Sequence, residues 1–165
     1  MGLRAERLPD VESVAVKRTI GAMIALSQPL PQFGLEPALL ELVKIRASQI
    51  NGCAYCLDMH TKEARTQGET EQRLYLLDVW GESPVYTERE RAALAWTEAV
   101  TLLTAGHVTD AVYEEVRRSF NDDELVGLTL AVVVINGFNR FNVAFRTVPG
   151  GYQPADQPST AAAAD

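Results

Sequence analysis

The stretch Ile50 to His60, INGCAYCLDMH, sets Cys53 and Cys56 three residues apart and His60 four further on, in a 165-residue chain whose only other histidine is His107 and which has no other cysteine. Thiols so close together suit a redox pair or a metal site, and a buried cysteine also serves as a small core hydrophobe. On a helix, residues three and four apart share a face, so Cys53, Cys56 and His60 fall on one stripe. A disulfide across this spacing needs Cβ atoms about 3.8 Å apart, against the roughly 5–6 Å usual for such neighbours, so the first turn must adjust and the bridge should reduce easily.

Two fields act on the sulfurs. The partial positive charge at a helix N-terminus favours a thiolate in the first turn, and an imidazole stands beside Cys56. A thiolate attacks a peroxide to give a sulfenic acid, which a second thiol converts to a disulfide. Histidine trades protons near neutral pH, so His60 suits the roles of base toward Cys56 and acid toward the departing oxygen. A carboxylate usually orients such an imidazole, and spacing alone leaves Glu41, Asp58 and Glu63 all open. Zinc is the competing use: Cys53, Cys56 and His60 with Glu41 or His107 would make four ligands, although structural zinc sites usually draw on two separated ligand pairs.

These residues need a scaffold, and helical spacing dominates the chain. Apolar residues from Val11 through Val14, Ile20, Met23 and Ile24 to Leu26 predict a first helix, ended by SQPLPQFG. Pro37 suits the start of a second, carrying Leu39 to Ile50 as far as the Asn51-Gly52 breaker. A third is expected from Cys53 to near Gly68, with both cysteines and His60 in its first two turns. A short helix over Glu71 to Leu77 and a loop at WGESPVY follow. Thr87 with Glu90 reads as a capping box for a helix to Leu103, Ala111 to Arg118 as another helix, and Asn121 with Glu124 as the cap of a long last helix to about Phe145. The β-branched run LTLAVVVI also suits a strand, but with helices on both sides and no partner strand it is expected to be a buried helix.

Composition sets outer bounds. A 47% hydrophobic, 22% charged and 7% aromatic chain has the usage of an ordinary globular domain able to fold without staples. The net charge of −7, with no long Lys/Arg block, argues against nucleic-acid and anionic-membrane surfaces. The start lacks a secretory pattern, and no run approaches the roughly 18 apolar residues of a membrane span, so a cytoplasmic protein is expected. There, two cysteines are more consistent with chemistry or metal than with a permanent bridge.

The pattern Glu41, Cys53-Ala54-Tyr55-Cys56, His60 within ELVKIRASQINGCAYCLDMHTKEAR resembles the core of the alkylhydroperoxidase D-like (AhpD-like) proteins of the carboxymuconolactone decarboxylase superfamily. INGFNRF, with Asn136, Asn139 and Arg140, resembles a segment these proteins often carry near the end. The resemblance implies an all-α fold of about six to seven helices over residues 1–148 and assembly into a homotrimer or homohexamer, while the Pro, Gly, Ala and polar composition of residues 149–165 reads as a flexible tail. It implies thiol-dependent reduction of hydroperoxides without a bound cofactor. Cys56 would attack, Cys53 resolve, and Glu41 with His60 relay protons, while an external dithiol of lipoyl or thioredoxin type resets the pair. One departure stands out: the best-known members have a histidine where this chain has Tyr55. A phenol reproduces its hydrogen bonding better than its proton affinity, so Tyr55 is a secondary relay candidate.

The alternatives are a lyase acting on a small carboxylated lactone, with His60 or Glu41 as acid or base, and a zinc-holding or redox-sensing binding protein. The lactone decarboxylases do not depend on a Cys-x-x-Cys pair, which weighs against the first. Asn136, Asn139 and Arg140 read as a structural polar network, Trp80 and Trp96 as core or interface aromatics, and His107 as a surface residue past a helix end.

Overall fold

The computed structural model describes residue 7 and residues 12–155, and among these every regular element is helical. The α-helices are α1 Val14–Ser27, α2 Pro37–Asn51, α3 Ala54–Thr66, α4 Glu71–Leu76, α5 Glu88–Thr101, α6 Asp110–Ser119 and α7 Asp122–Phe145, with 3-10 helices at Leu30–Phe33 and Leu77–Glu82. Val11 and residues 156–165 of the expected tail lie outside the described residues.

The starts are written in side chains that satisfy otherwise unpaired first-turn amides. Ser13, Thr70 and Thr109 accept from the backbone amides of Val16, Arg73 and Val112. Thr87 with Glu90 and Asn121 with Glu124 form complete reciprocal capping boxes. Boundaries shift by small amounts. The expected loop at WGESPVY begins inside the second 3-10 helix, and α5 ends at Thr101 rather than Leu103.

α2 is the hub, packing against α3, α5 and α7. Leu39, Leu40 and Val43 join Ala93 and Trp96 of α5 and Leu128 and Val132 of α7 in the main core. On another side, Leu42 and Ile45 meet Ala64, Leu77, Tyr86 and Leu94. Apolar residues around most of its circumference make α2 a buried helix, and each large side chain withdrawn from water contributes about 1.5–3 kcal/mol.

The ambiguous LTLAVVVI segment is helical within α7. Its neighbours decide the matter: Leu125, Leu128, Val132, Ile135 and Asn139 are buried at three- and four-residue steps, which only a helix aligns toward the core. By length and composition alone α7 is apolar enough to cross a membrane, but here it packs against α1, α2, α3 and α5. Gly127 lets the Leu30–Phe33 turn press against it, since a Cβ there would stand 2.5 Å from that of Phe33.

The first residues of the expected tail are tied to α3. The Gly150 amide donates to Asp58 at 2.9 Å, Lys62 donates to the Tyr152 carbonyl at 2.9 Å, and the Tyr152 hydroxyl donates to Glu63.

Intrinsic propensity favours alanine over glycine inside a helix by about 1 kcal/mol. At position 127 the overlap with Phe33 should reverse that sign, and Gly127→Ala is expected to destabilise by about 1–3 kcal/mol in urea unfolding. A variant more stable than the parent would contradict the close approach of these two elements.

Candidate active site

The site is assembled at the sharp connection between α2 and α3. Gly52 closes α2 in the left-handed region at φ 65°, and its amide donates to Gln49 and Ser48 carbonyls. The Cys53 amide also reaches the Ser48 carbonyl, at 3.0 Å. Cys53 is therefore the N-cap of α3 rather than its first helical residue: its sulfur accepts from the Cys56 amide at 3.4 Å. Cys53 and Cys56 are joined as a disulfide with Cα atoms 5.4 Å apart. Both are buried, packed with Ala47 and Ile135 and flanked by Tyr55.

A chain of amides fixes this connection to α7. Asn51 Nδ2 donates to Asn136 Oδ1 at 3.0 Å and to Asn139 Oδ1 at 2.9 Å. Asn139 Nδ2 donates to Ser48 Oγ at 2.9 Å, and Asn136 Nδ2 donates to Thr101 Oγ1 at 2.9 Å. Arg140 closes onto Asn136 Oδ1 at 2.8 Å. Asn139 is fully enclosed, a position tolerated only because its polar atoms are paired.

Of the three carboxylates left open by spacing, Glu41 is the one that reaches the imidazole. Its Oε2 lies 2.8 Å from His60 Nδ1, and its Oε1 accepts from Lys44 Nζ at 2.6 Å. Asp58 instead binds Lys62 and the Gly150 amide, and Glu63 binds Tyr152. Glu41 is only 5% exposed. Burial opposes its ionisation, but the hydrogen bond from His60 and the charge of Lys44 outweigh burial and hold its carboxyl below the usual range. It is thus an anion at neutral pH, with His60 Nδ1 directed at it.

A cavity of about 880 Å³ lies between α1, α2, α3 and α7. Cys56, His60, Tyr55 and Lys44 line it, whereas Cys53 is not among its lining residues. Much of the remaining wall is apolar, including Ile20, Ile24, Met59, Phe138 and Phe141. Asn142 also reaches the wall and donates its Nδ2 to Cys56 Sγ at 3.4 Å.

Lys44 and Asn142 went unread in the sequence. Lys44 follows Glu41 at a helical i, i+3 step, and Asn142 continues the Asn136, Asn139 spacing by another three, so both carried a local signal. His107 is exposed between α5 and α6. Among the described residues no three His, Cys, Asp or Glu side chains are grouped to hold a metal ion. Trp80 and Trp96 donate to Glu98 and Thr129.

The chain is similar to YdfG of Bacillus subtilis, an uncharacterized protein, at 42% identity over 122 residues, which is 74% of this chain and 83% of YdfG. Residues 22–99 match the model of the carboxymuconolactone decarboxylase family. This chain belongs to that family. Its fold is AhpD-like: the crystal structure of ATU0492 from Agrobacterium tumefaciens superposes with a TM-score of 0.83 at 42% identity, covering 90% of this chain and 100% of that one. ATU0492 is a protein of unknown function, provisionally assigned to AhpD-type antioxidant defence. A peroxidase-related protein from Ralstonia eutropha JMP134, described as an alkylhydroperoxidase AhpD core, shares the fold at a TM-score of 0.71 and 20% identity, over 82% of this chain and 72% of its own.

Because the folded Glu41 carboxyl lies below its ordinary range, the stability it contributes is fully present above the unfolded glutamate value of about 4.3. It is lost as the pH falls through the lower, folded value. Glu41→Gln is therefore expected to cost about 1–3 kcal/mol at pH 7, leaving Lys44 without its counter-ion. The gap to the parent should narrow below about pH 4, as denaturant titrations across pH would record. A gap constant with pH would mean that Glu41 is not held as a buried anion.

Proposed function

We propose that this family member is a thiol-dependent hydroperoxide reductase in which Cys53 and Cys56 cycle between dithiol and disulfide. The observation that carries the reading is the asymmetry of the pair: the two sulfurs are bonded to each other, but Cys56 alone of the two lines the cavity, beside His60. The provisional assignment of ATU0492 points the same way.

In the reduced protein the Cys56 thiolate attacks an oxygen of the hydroperoxide. A sulfur–oxygen bond forms, the oxygen–oxygen bond breaks, and the alkoxide leaves with the electron pair and takes a proton from His60 to become the alcohol. Cys53 then attacks the Cys56 sulfenic acid. The disulfide forms, the sulfur–oxygen bond breaks, and the departing hydroxide takes the Cys53 proton to leave as water. An external dithiol, of lipoyl or thioredoxin type, restores the pair by exchange and is itself oxidised.

Glu41 and Lys44 set the electrostatics of this cycle. With Nδ1 of His60 held by the Glu41 anion, Nε2 is the ring nitrogen left to exchange protons with the cavity, and the carboxylate fixes the orientation of the ring while it does so. Lys44 keeps the carboxylate charged. Tyr55, on the same wall, supplies a hydroxyl where the best-known members of the family carry a histidine. The cycle needs no bound cofactor and suits a reducing compartment such as the cytoplasm, with the chain working as a homotrimer or homohexamer.

The test uses reduced, purified protein and tert-butyl hydroperoxide. Thiol counting is expected to give two free thiols before one equivalent of peroxide and none after. Cys53→Ser should stop at a dimedone-reactive sulfenic acid, Cys56→Ser should not consume peroxide, and His60→Gln should slow the first step by roughly 10²–10⁴-fold. Peroxide consumption that survives loss of both cysteines, or a parent protein whose thiols ignore peroxide, would overturn the assignment. Lactone decarboxylation independent of both thiols would support the lyase instead.

A further inference from the structure

Cys56 has a neighbour that the cycle above does not use. Asn142, in the last turn of α7, sends its Nδ2 to the Cys56 sulfur at 3.4 Å and to the Phe138 carbonyl at 3.0 Å. A backbone carbonyl accepts and cannot donate, so the bond to Phe138 fixes which end of the amide is which. The nitrogen, with its second hydrogen, therefore faces the sulfur. The backbone is held as firmly: Arg146, in the left-handed region at φ 58°, closes α7, and the Thr147 amide donates to the Asn142 carbonyl at 3.0 Å.

We propose that Asn142 is a catalytic residue whose carboxamide donates to the Cys56 thiolate, holding it charged and aimed into the cavity before hydroperoxide arrives. This deepens the hydroperoxide-reductase reading and rests on it for its function, though not for its chemistry. A donor that cannot accept favours thiolate over thiol, because it stabilises the anion and gives a neutral S–H nothing to bind. A hydrogen bond to a charged acceptor is also stronger than one to a neutral sulfur, so the contact tightens when the disulfide opens.

The charged and titratable groups that share the cavity wall with Cys56 are His60 and Tyr55 on α3, Lys44 on α2 and Lys17 on α1, with Glu41 of α2 set against His60. Lys17 is paired with Glu12 and Lys44 with Glu41, so neither is an undivided cation for the thiolate. From α7 the polar group on the sulfur is the Asn142 amide. It acts at contact distance, and its neutrality leaves the effect insensitive to salt.

The experiment isolates Cys56 in a Cys53→Ser background, so that one thiol reports. Its ionisation is followed by thiolate absorbance near 240 nm and by the pH profile of alkylation with iodoacetamide, with and without Asn142→Ala or Asn142→Asp. Both variants should move the profile to higher pH. The thiolate fraction on its acid side should fall about tenfold for alanine and further for aspartate, whose negative charge repels the thiolate. Rates above the midpoint should change little. Circular dichroism checks the fold, and aspartate, nearly the same shape as asparagine, covers the case in which alanine does not fold. A profile unmoved in a folded variant, even one with a lowered melting temperature, would reduce Asn142 to a structural residue and overturn the proposal. Alkylation needs no peroxide, so a protein inert to hydroperoxides but with a shifted profile would sink the proposed function and leave this inference standing.

Discussion

The clamp between the α2–α3 connection and α7 is the constraint on which the rest depends. Three asparagines, one serine and one threonine bind one another across helices distant in sequence, with the Asn51, Asn136 and Asn139 amides at the centre. Hydrogen bonds of this kind contribute modestly when made and cost more when broken inside a core. Their directionality matters as much as their energy. Apolar packing alone would let the connection slide or rotate by fractions of an ångström, whereas paired amides accept one register. Ser48, whose carbonyl receives the Cys53 amide, also receives the Asn139 side chain, so the cysteine's backbone is tied to α7 through one residue.

Around that fixed point, charge is distributed in layers. The His60 hydrogen bond and the Lys44 charge together hold Glu41 ionised against its burial, Glu41 in turn holds the His60 ring, and His60 shares a cavity wall with Cys56. Each group is supplied by a different turn of α2 or α3, and these two helices pack directly on each other. The buried anion is tolerable because both its oxygens are engaged by donors. The wider cavity is lined mainly by hydrocarbon, a setting in which such fixed charges act with less screening than they would in water.

Much of this was legible in the chain. The i, i+3, i+7 spacing of Cys53, Cys56 and His60 suffices to put them on one stripe, and caps such as Thr87 with Glu90 mark helix starts through local hydrogen bonding. Glu41 could be nominated but not chosen from spacing, because its contact with His60 spans 19 residues and depends on how two helices cross. Asn142 lies 86 residues from Cys56, so local periodicity could say only that it neighbours Asn139 one helical step on. The β-branched run in α7 pulled toward strand until its neighbours offered a helical groove, an instance of tertiary context overriding propensity. Gly127 carried no local message at all: its meaning lies in Phe33, on a turn that the chain reaches far earlier.

One last consequence follows from Cys53 sitting at the N-cap. Serine, threonine, aspartate or asparagine would hold the first turn of α3 better than a thiol, since sulfur is a poor acceptor. In the proposed cycle that post falls to an atom that changes its bonding partner, which joins two things usually kept apart, the integrity of a helix end and the oxidation level of the molecule. Under that cycle, whatever loosens or tightens one is felt by the other, and the opening turn of α3 becomes as much a gauge of electron count as a piece of scaffolding.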